Sequence, residues 1–285
     1  MFTTNSIEQF DLEGLTLQQL RYFNAVAEGE TFADAAALIG ISQSALSQGI
    51  ARLEQVTGTR LLERDGRRRR ITDAGELVAE YARRVLGESE TLAAQLEERR
   101  TGRTGRLRVG MIDAAALYLF ADAIAGFRDE FPEVALSIAV DGSAELEQRL
   151  TDFRDDVVIV VGPAARGVAT HLVTEPMHLY GPDDSSDAFA LYPTGSRTRI
   201  AIDRGLAAAG ITPRVMAESG NPAVLRELCR LTGSQTVLPA AVAGPSGDLS
   251  RIADHVAERD VFAVTREQTA ASPLVAGFIA RLTAE

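Results

Sequence analysis

The sequence predicts an α/β protein built in three parts, and three observations support this prediction. Residues 16–58 carry three short helical patterns, and two extended segments follow them. One long helical pattern then runs from Thr72 to about Arg100 without a proline. Beyond residue 106, short apolar strands alternate with helical segments, which is typical of an α/β fold with largely parallel sheets.

The three short helices have recognisable start and end signals. Residues 16–28 place apolar side chains at helical spacing. Thr31 can cap the start of a second helix that ends at Gly40, and Ser42 can cap a third that ends at Gly58. On the third helix we expect Ala45, Ile50 and Leu53 to be buried, with Leu46 at the border of the buried face and polar side chains opposite.

An Asp-Gly pair at residues 65–66 separates two extended runs, and this pattern predicts a tight β-hairpin. Three helices followed by a small hairpin form a winged helix-turn-helix, a fold that places its third helix in the DNA major groove. We therefore predict that residues 1–72 form a DNA-binding domain.

The charge distribution agrees with this prediction although the chain as a whole is acidic. The net charge is −11, and all 29 basic residues are arginines. Seven of these arginines lie within residues 42–71, where there are only three acidic residues. A phosphate-binding surface requires local positive charge, and this segment supplies it. The alternative interpretation of the arginine run is a solvated surface patch.

The polar side chains of the third helix and of the hairpin are the candidate DNA contacts. Glutamine pairs well with adenine, and arginine with guanine or phosphate. Hydroxyl groups and helix N-terminal amides can position phosphates. Gly49 interrupts the polar face, costs the helix up to about 1 kcal/mol, and is not expected to read DNA. The predicted DNA-binding residues are Thr31, Ser42, Gln43, Ser44, Ser47, Gln48, Arg52, Arg64, Arg67, Arg68, Arg69 and Arg70.

The long helix, taken with the hinge as residues 73–103, carries one apolar stripe. A helix with a single apolar seam is expected to pack against another helix, so the stripe predicts a homo-oligomer. The glycines and arginines of residues 101–106 are expected to form a hinge. The predicted dimerisation residues are Val78, Tyr81, Val85, Leu92 and Leu96.

Residues 15–76 resemble, without a gap, the opening of LysR-type transcriptional regulators. The shared features include Ala35-Ala36, the run 42–47 (SQSALS), Leu53-Glu54, residues 61–64 (LLER) and residues 72–76 (TDAGE). The resemblance implies a cytoplasmic, DNA-binding regulator that reads a pseudo-palindromic operator as a homodimer or a tetramer.

Residues 104–285 resemble, more loosely, the effector-binding domain of the same family and the two-lobed fold of periplasmic binding proteins. In such a fold a ligand lies between the lobes, at the carboxyl ends of strands. The predicted effector-binding residues are Ile112, Asp113, Asp141, Gly162, Gly195, Ser196, Arg197, Ser219 and Asn221. For Ser196 and Asn221 the alternative is that they only cap the helices that follow them.

Asp113 stands where the family often has serine or threonine. Helix N-termini at Ser196 and Asn221, with Arg197 beside them, favour a carboxylate, whereas Asp113 favours an amine. Together they predict an amphoteric effector such as an amino acid, in preference to a simple acid. The alternative is that Asp113 caps a helix or points outward and does not meet the ligand.

Other chemistry receives no support from the sequence. Cys229 is the only cysteine and is expected to be a core thiol. The three histidines have no metal-ligand spacing, and no catalytic signature is visible, so we expect neither an enzyme nor a cofactor. No apolar run approaches the roughly 20 residues that span a bilayer, and no signal peptide is visible. The alternative function is an α/β binding protein or enzyme with a vestigial DNA-binding unit.

Overall fold

The computed structural model describes residues 14–29, 31–65, 68–101, 105–162, 164, 166–182, 187–243 and 249–283. For residues 64, 65, 68, 69, 94, 95 and 97–101 only the backbone is described. The chain divides into two compact units, residues 1–93 and 94–285. Within the described ranges, no helix combines the length and the apolar character that crossing a membrane requires.

The first unit has the expected order of three helices, a hairpin and a long helix. Thr16 begins the first helix with a reciprocal capping box to Gln19. The Thr31 and Ser42 side chains cap the next two helices, and Gly58 ends the third in a left-handed conformation with φ of 64°. The elements are α1 (Leu17–Glu28), α2 (Phe32–Leu38), α3 (Gln43–Thr57), β1 (Leu62–Asp65), β2 (Arg68–Ile71) and α4 (Asp73–Thr101).

The three short helices pack around one small apolar core that contains Phe23, Ile50 and Leu53. Leu46, expected at the border of the buried face of α3, is fully buried in this core. Ala45, expected to be buried, is only half-buried. Gly49 has a packing role that the sequence did not reveal. A Cβ atom at Gly49 would overlap the ring of Tyr22 on α1, so glycine allows α1 and α3 to approach closely.

The hairpin is antiparallel, with Leu62 opposite Ile71 and Asp65 opposite Arg68. Its position is tied to α3 by one side chain. The Glu54 carboxylate accepts hydrogen bonds from the backbone amides of Leu61 and Leu62, at 2.8 and 3.2 Å. The hairpin therefore stays in a fixed place beside the third helix.

The long helix α4 exposes much of its apolar stripe. Tyr81, Leu92 and Leu96 are 41%, 57% and 59% exposed, and Leu77 extends the stripe at 70%. Val78 is half-buried because it packs on the core of the first unit. Of the segment expected to form a hinge, Thr101 ends α4 and residues 105–106 begin a strand, while residues 102–104 lie outside the described residues.

The second unit alternates strands and helices as predicted, with a π-helical turn (Ala115–Leu119) before α5. Its strands are β3 (Gly105–Met111), β4 (Val134–Val140), β5 (Val157–Val161), β6 (Val168–Gly181), β7 (Ala188–Leu191), β8 (Arg214–Glu218), β9 (Thr236–Pro239) and β10 (Ser250–Thr265). Its helices are α5 (Ala121–Glu130), α6 (Ser143–Thr151), α7 (Arg197–Ala208), α8 (Pro222–Thr232), α9 (Ala240–Ala243), α10 (Glu267–Ala270) and α11 (Pro273–Leu282).

The main sheet is mixed, which corrects the expectation of largely parallel sheets. Its strand order is β4-β3-β5-β10-β6-β9, and only the β4–β3 and β3–β5 pairs in it are parallel. The two long strands β6 and β10 pair antiparallel with each other. The sequence analysis missed both, because their partly exposed positions give no continuous apolar run.

These two long strands connect two lobes, each with its own apolar core. One core contains Phe127, Val158 and Phe278, and the other contains Phe189, Ile202 and Leu225. The loops that follow β3, β4 and β5 on the first lobe face the starts of α7 and α8 on the second, and a cleft lies between them.

Candidate functional site

The outward face of α3 is polar, as a helix that contacts DNA requires. Gln43, Ser44, Gln48 and Arg52 are exposed, and Ser47 is half-buried, while the opposite face lies in the core. The hydroxyl of Ser42 accepts a hydrogen bond from the Ala45 amide at 3.2 Å and lies 3.0 Å from the Ser44 hydroxyl. This exposed row of donors and acceptors is set on a rigid, capped helix.

The flanking DNA-contact candidates are only partly described. Thr31 uses its hydroxyl to cap α2, accepting from the Asp34 amide at 3.2 Å. On the hairpin, Arg70 forms an exposed ion pair with Glu63 at 2.6 Å, which reduces the positive charge it offers to phosphate. Arg67 lies outside the described residues, and Arg64, Arg68 and Arg69 are described in backbone only.

The inter-lobe cleft has a volume of about 660 Å³, within the range of small-molecule sites. Seven of the nine residues expected there from the sequence line it: Ile112, Asp113, Asp141, Gly195, Ser196, Arg197 and Asn221. Gly162 and Ser219 are not lining residues. The Phe262 ring fills the space beside Gly162, and the Ser219 hydroxyl accepts from the Asn221 amide at 3.1 Å.

Asp113 lines the cleft from the first lobe, and the Asn221 side chain, which lines it from the second lobe, acts on the Asp113 carboxyl as a hydrogen-bonding neighbour. Burial raises the pKa of the Asp113 carboxyl, and the charge of Asp141 adds to the rise, although the Asn221 hydrogen bond opposes it. The pKa therefore stays above the usual value of an aspartate. The Asn221 oxygen also caps α8, accepting from the amides of Ala223 and Val224.

Arg197 is already engaged in contacts between the lobes. Its guanidinium donates to a Glu147 carboxylate oxygen at 2.8 Å and to the Val161 carbonyl at 2.7 Å, both on the first lobe. Ser196 likewise uses its hydroxyl to cap α7, accepting from the Arg199 amide. The Arg197 guanidinium, which was expected to bind a ligand carboxylate, thus donates to partners within the protein.

A buried polar network forms the floor of the cleft, and no pattern in the sequence predicts it. Arg259 on β10 is 3% exposed and donates to the Glu175 carboxylate on β6 at 2.6 and 2.9 Å. It also donates to Tyr118 of the π-helical turn and to Thr198 of α7, at 3.0 and 3.2 Å. The network therefore joins both long strands to both lobes.

The sequence analysis also missed Glu145 and Tyr192, which line the cleft. Glu145 lies in the first turn of α6, four residues after the candidate Asp141, and this proximity in the sequence was the available signal. Tyr192 directly follows β7, but only the tertiary structure places it under the cleft. Its side chain is 4% exposed, and its hydroxyl has no hydrogen-bond partner among the described residues.

Cys229 is a buried thiol on α8, in agreement with the sequence analysis. Its Sγ–H group donates to the Ser234 carbonyl at 2.9 Å, and burial raises the pKa of the thiol to about 11. Thiol oxidation proceeds through the thiolate, which this environment disfavours. No group of three or more His, Cys, Asp or Glu side chains suited to a metal ion occurs in the described part of the chain.

The fold and the cleft together define a class of protein: a winged helix-turn-helix unit joined to a two-lobed ligand-binding unit. Family models agree with both parts. The model for the bacterial regulatory helix-turn-helix protein of the lysR family matches residues 17–76, and that for the LysR substrate binding domain matches residues 100–285. The chain belongs to the LysR family.

Curated relatives include other regulators. A "Probable hydrogen peroxide-inducible genes activator" of Streptomyces viridosporus is 38% identical over 148 residues, 52% of this chain and 47% of that protein. A "Probable RuBisCO transcriptional regulator" of Thalassiosira pseudonana is 32% identical over 160 residues, 56% of this chain and 52% of that protein. These matches span about half the length of each relative. YfeR of Shigella flexneri, an uncharacterized HTH-type transcriptional regulator, is 28% identical over 277 residues, 90% of either chain.

Solved structures share the fold at low sequence identity. A full-length OxyR variant from Pseudomonas aeruginosa superposes with a TM-score of 0.71 at 21% identity, covering 94% of this chain and 97% of that one. Full-length CbnR, solved in complex with its target DNA, has a TM-score of 0.69 at 22% identity, covering 94% of this chain and 99% of that one. At these identities the likeness extends to the fold alone.

Proposed function

We propose that this protein is a DNA-binding transcriptional regulator that responds to a small-molecule effector bound in the inter-lobe cleft, and not an enzyme. One observation carries the proposal: a capped helix, α3, exposes Gln43, Ser44, Gln48 and Arg52 on a unit that matches the family's DNA-binding model. Such a row of side chains fits the base edges of a major groove.

The DNA-contact residues divide by role. Gln43, Ser44, Ser47, Gln48 and Arg52 are proposed to contact bases or nearby phosphates from α3. The capping residues Thr31 and Ser42 lie at helix N-termini, where phosphates bind readily. The hairpin arginines, Arg64 and Arg67 to Arg70, are proposed to contact the DNA backbone or the minor groove.

Replacing Gln43 with alanine is expected to weaken binding to the preferred DNA sequence by about 1–3 kcal/mol, because a bidentate base contact is lost. Affinity for random DNA should change little. The preferred sequence is found by selection from a randomised duplex library, and both affinities are then measured by mobility shift.

Gln55→Ala is the matched control, since Gln55 is also exposed on α3 but lies in its last turn. It should leave both affinities unchanged. Arg68→Ala should weaken binding to DNA of every sequence and lower the salt dependence of that binding. If Gln43→Ala keeps the wild-type preference, α3 does not read bases as proposed. If the wild type binds no DNA, the alternative of a binding protein or enzyme with a vestigial DNA-binding unit is favoured.

We propose further that the α4 stripe joins two copies of the chain, as a dimer or within a tetramer. Leu77, whose side chain is 70% exposed, adds to the seam predicted from the sequence, which consists of Val78, Tyr81, Val85, Leu92 and Leu96. Exposed apolar side chains aligned along one long helix favour burial against a second helix.

Replacing Leu92 with aspartate is expected to dissociate the oligomer, because the seam would bury an unpaired charge. Light scattering measures the mass. Leu38→Asp is the control: Leu38 is 70% exposed on α2, outside the stripe, and its change should leave the mass unchanged. If the Leu92→Asp protein keeps the wild-type mass, α4 does not form the interface between copies.

The effector is proposed to be a small molecule held between the lobes, an amino acid or a similar amphoteric metabolite being the sequence-based candidate. Peroxide sensing, suggested by the names of some relatives, is the second candidate function. It is not favoured, because the buried Cys229 thiol has a raised pKa and already donates a hydrogen bond.

A further inference from the structure

We infer that the cleft recognises its effector through a cationic, ammonium-type group, so that the ligand is an organic amine or diamine rather than a carboxylate. The inference rests on the proposed function, because it assumes that the effector binds between the lobes. It names the class of ligand for that site.

The cleft carries an excess of negative charge. Asp113, Asp141 and Glu145 all line it. Asp113 accepts from the Asn221 side chain, and Asp141 accepts from the neighbouring Gly142 amide at 2.9 Å. In the described part of the chain, none of the three carboxylates forms an ion pair with a basic side chain.

Both arginines of the cleft are already neutralised by partners within the protein. Arg197 is paired with Glu147 at 2.8 Å, and Arg259 is paired with Glu175 at 2.6 Å. A ligand carboxylate would have to displace one of these partners and would also meet three unpaired carboxylates. Like charges repel strongly in a partly desolvated site, so a carboxylate is the less favourable ligand.

Tyr192 supplies an independent observation. Its side chain is only 4% exposed and lines the cleft, and its hydroxyl lacks a hydrogen-bond partner among the described residues. The Arg259 guanidinium lies 5.8 Å from the centre of the Tyr192 ring and directs four hydrogen bonds to Glu175, Thr198 and Tyr118. A ligand N–H group could donate to the Tyr192 oxygen and satisfy a polar atom that is costly to leave unpaired.

The raised pKa of Asp113 agrees with this charge balance, because burial and the charge of Asp141 both disfavour its ionised form. A bound ammonium group would compensate that charge. The carboxylates do not converge into a cluster of three metal-ligating side chains in the described ranges. A cleft of about 660 Å³ with separated carboxylates suits an extended organic cation better than a compact metal ion.

Three probes with the same four-carbon chain test the inference: 1,4-diaminobutane, 4-aminobutanoate and succinate. Thermal unfolding of the full chain is followed with each probe and with magnesium chloride. The diamine should raise the melting temperature most, the amino acid less, and succinate and magnesium not at all. Asp113→Asn should weaken the apparent diamine affinity about tenfold or more, since a charged hydrogen bond is lost.

The matched control is Asp129→Asn, which removes the same charge from an exposed position on α5 outside the cleft. It should keep the wild-type response. The inference is overturned if succinate or magnesium stabilises the protein as much as the diamine does, if no diamine-specific shift is seen, or if Asp113→Asn responds like the wild type. DNA binding in the mobility-shift assay reports separately on the proposed function and does not depend on any of these outcomes.

Discussion

Replacing Arg259 with methionine is expected to lower the free energy of unfolding by about 3–5 kcal/mol, because Glu175 would keep a buried charge without its partner. The two side chains face each other across β10 and β6 and are 3% and 8% exposed. The substitution also leaves the Tyr118 and Thr198 oxygens without the donor that they share. Equilibrium urea unfolding, followed by circular dichroism, measures the effect.

A double variant separates the charge from the packing. Arg259→Met combined with Glu175→Gln removes both charges, so it should be more stable than Arg259→Met alone. Met and Gln keep similar side-chain lengths and limit the change in volume. If the double variant is no more stable than the single one, the loss of stability does not arise from the unpaired Glu175 carboxylate.

Replacing Gly205 with alanine is expected to destabilise the second unit by about 1–3 kcal/mol or more, because overpacking forces the backbone to shift. Gly205 lies inside α7, where alanine is ordinarily the better helix former by about 1 kcal/mol. Here a Cβ atom would overlap the carbonyl oxygen of Val256 on β10. Backbone cannot move aside as a flexible side chain can, so helix propensity is outweighed.

Gly277→Ala is the matched control, as Gly277 also lies inside a helix, α11, and a Cβ atom there would meet nothing within 4 Å. The melting temperature of the Gly277→Ala variant should stay unchanged or rise, whereas that of the Gly205→Ala variant should fall. Equal shifts for the two variants would show that α7 does not approach β10 as closely as the structure places it.

The cleft marks the limit of what the sequence could reveal about the site. The ends of strands and the starts of helices can be predicted from neighbouring residues in the sequence. Most of the expected lining residues, such as Asp113 and Asn221, therefore do line the cleft. Whether a side chain there is free to meet a ligand depends on distant partners. Arg197 was expected to bind a carboxylate, but Glu147, 50 positions away, occupies its guanidinium. The charge balance of the cleft follows from such pairings.

The sequence by itself determined the first unit and the order of elements in the second. Capping hydrogen bonds such as Ser42 to the Ala45 amide join residues three positions apart, so the residues that fix them are adjacent in the chain. Only the tertiary structure decided the mixed sheet, the Arg259–Glu175 pair and the role of Gly49. Each of these depends on segments that meet through topology: β10 on β6, 84 positions apart for the ion pair, and the Tyr22 ring of α1 on α3. Local periodicity carries no information about which distant segments come together, and that is the physical reason why the chemistry of the cleft required the structure.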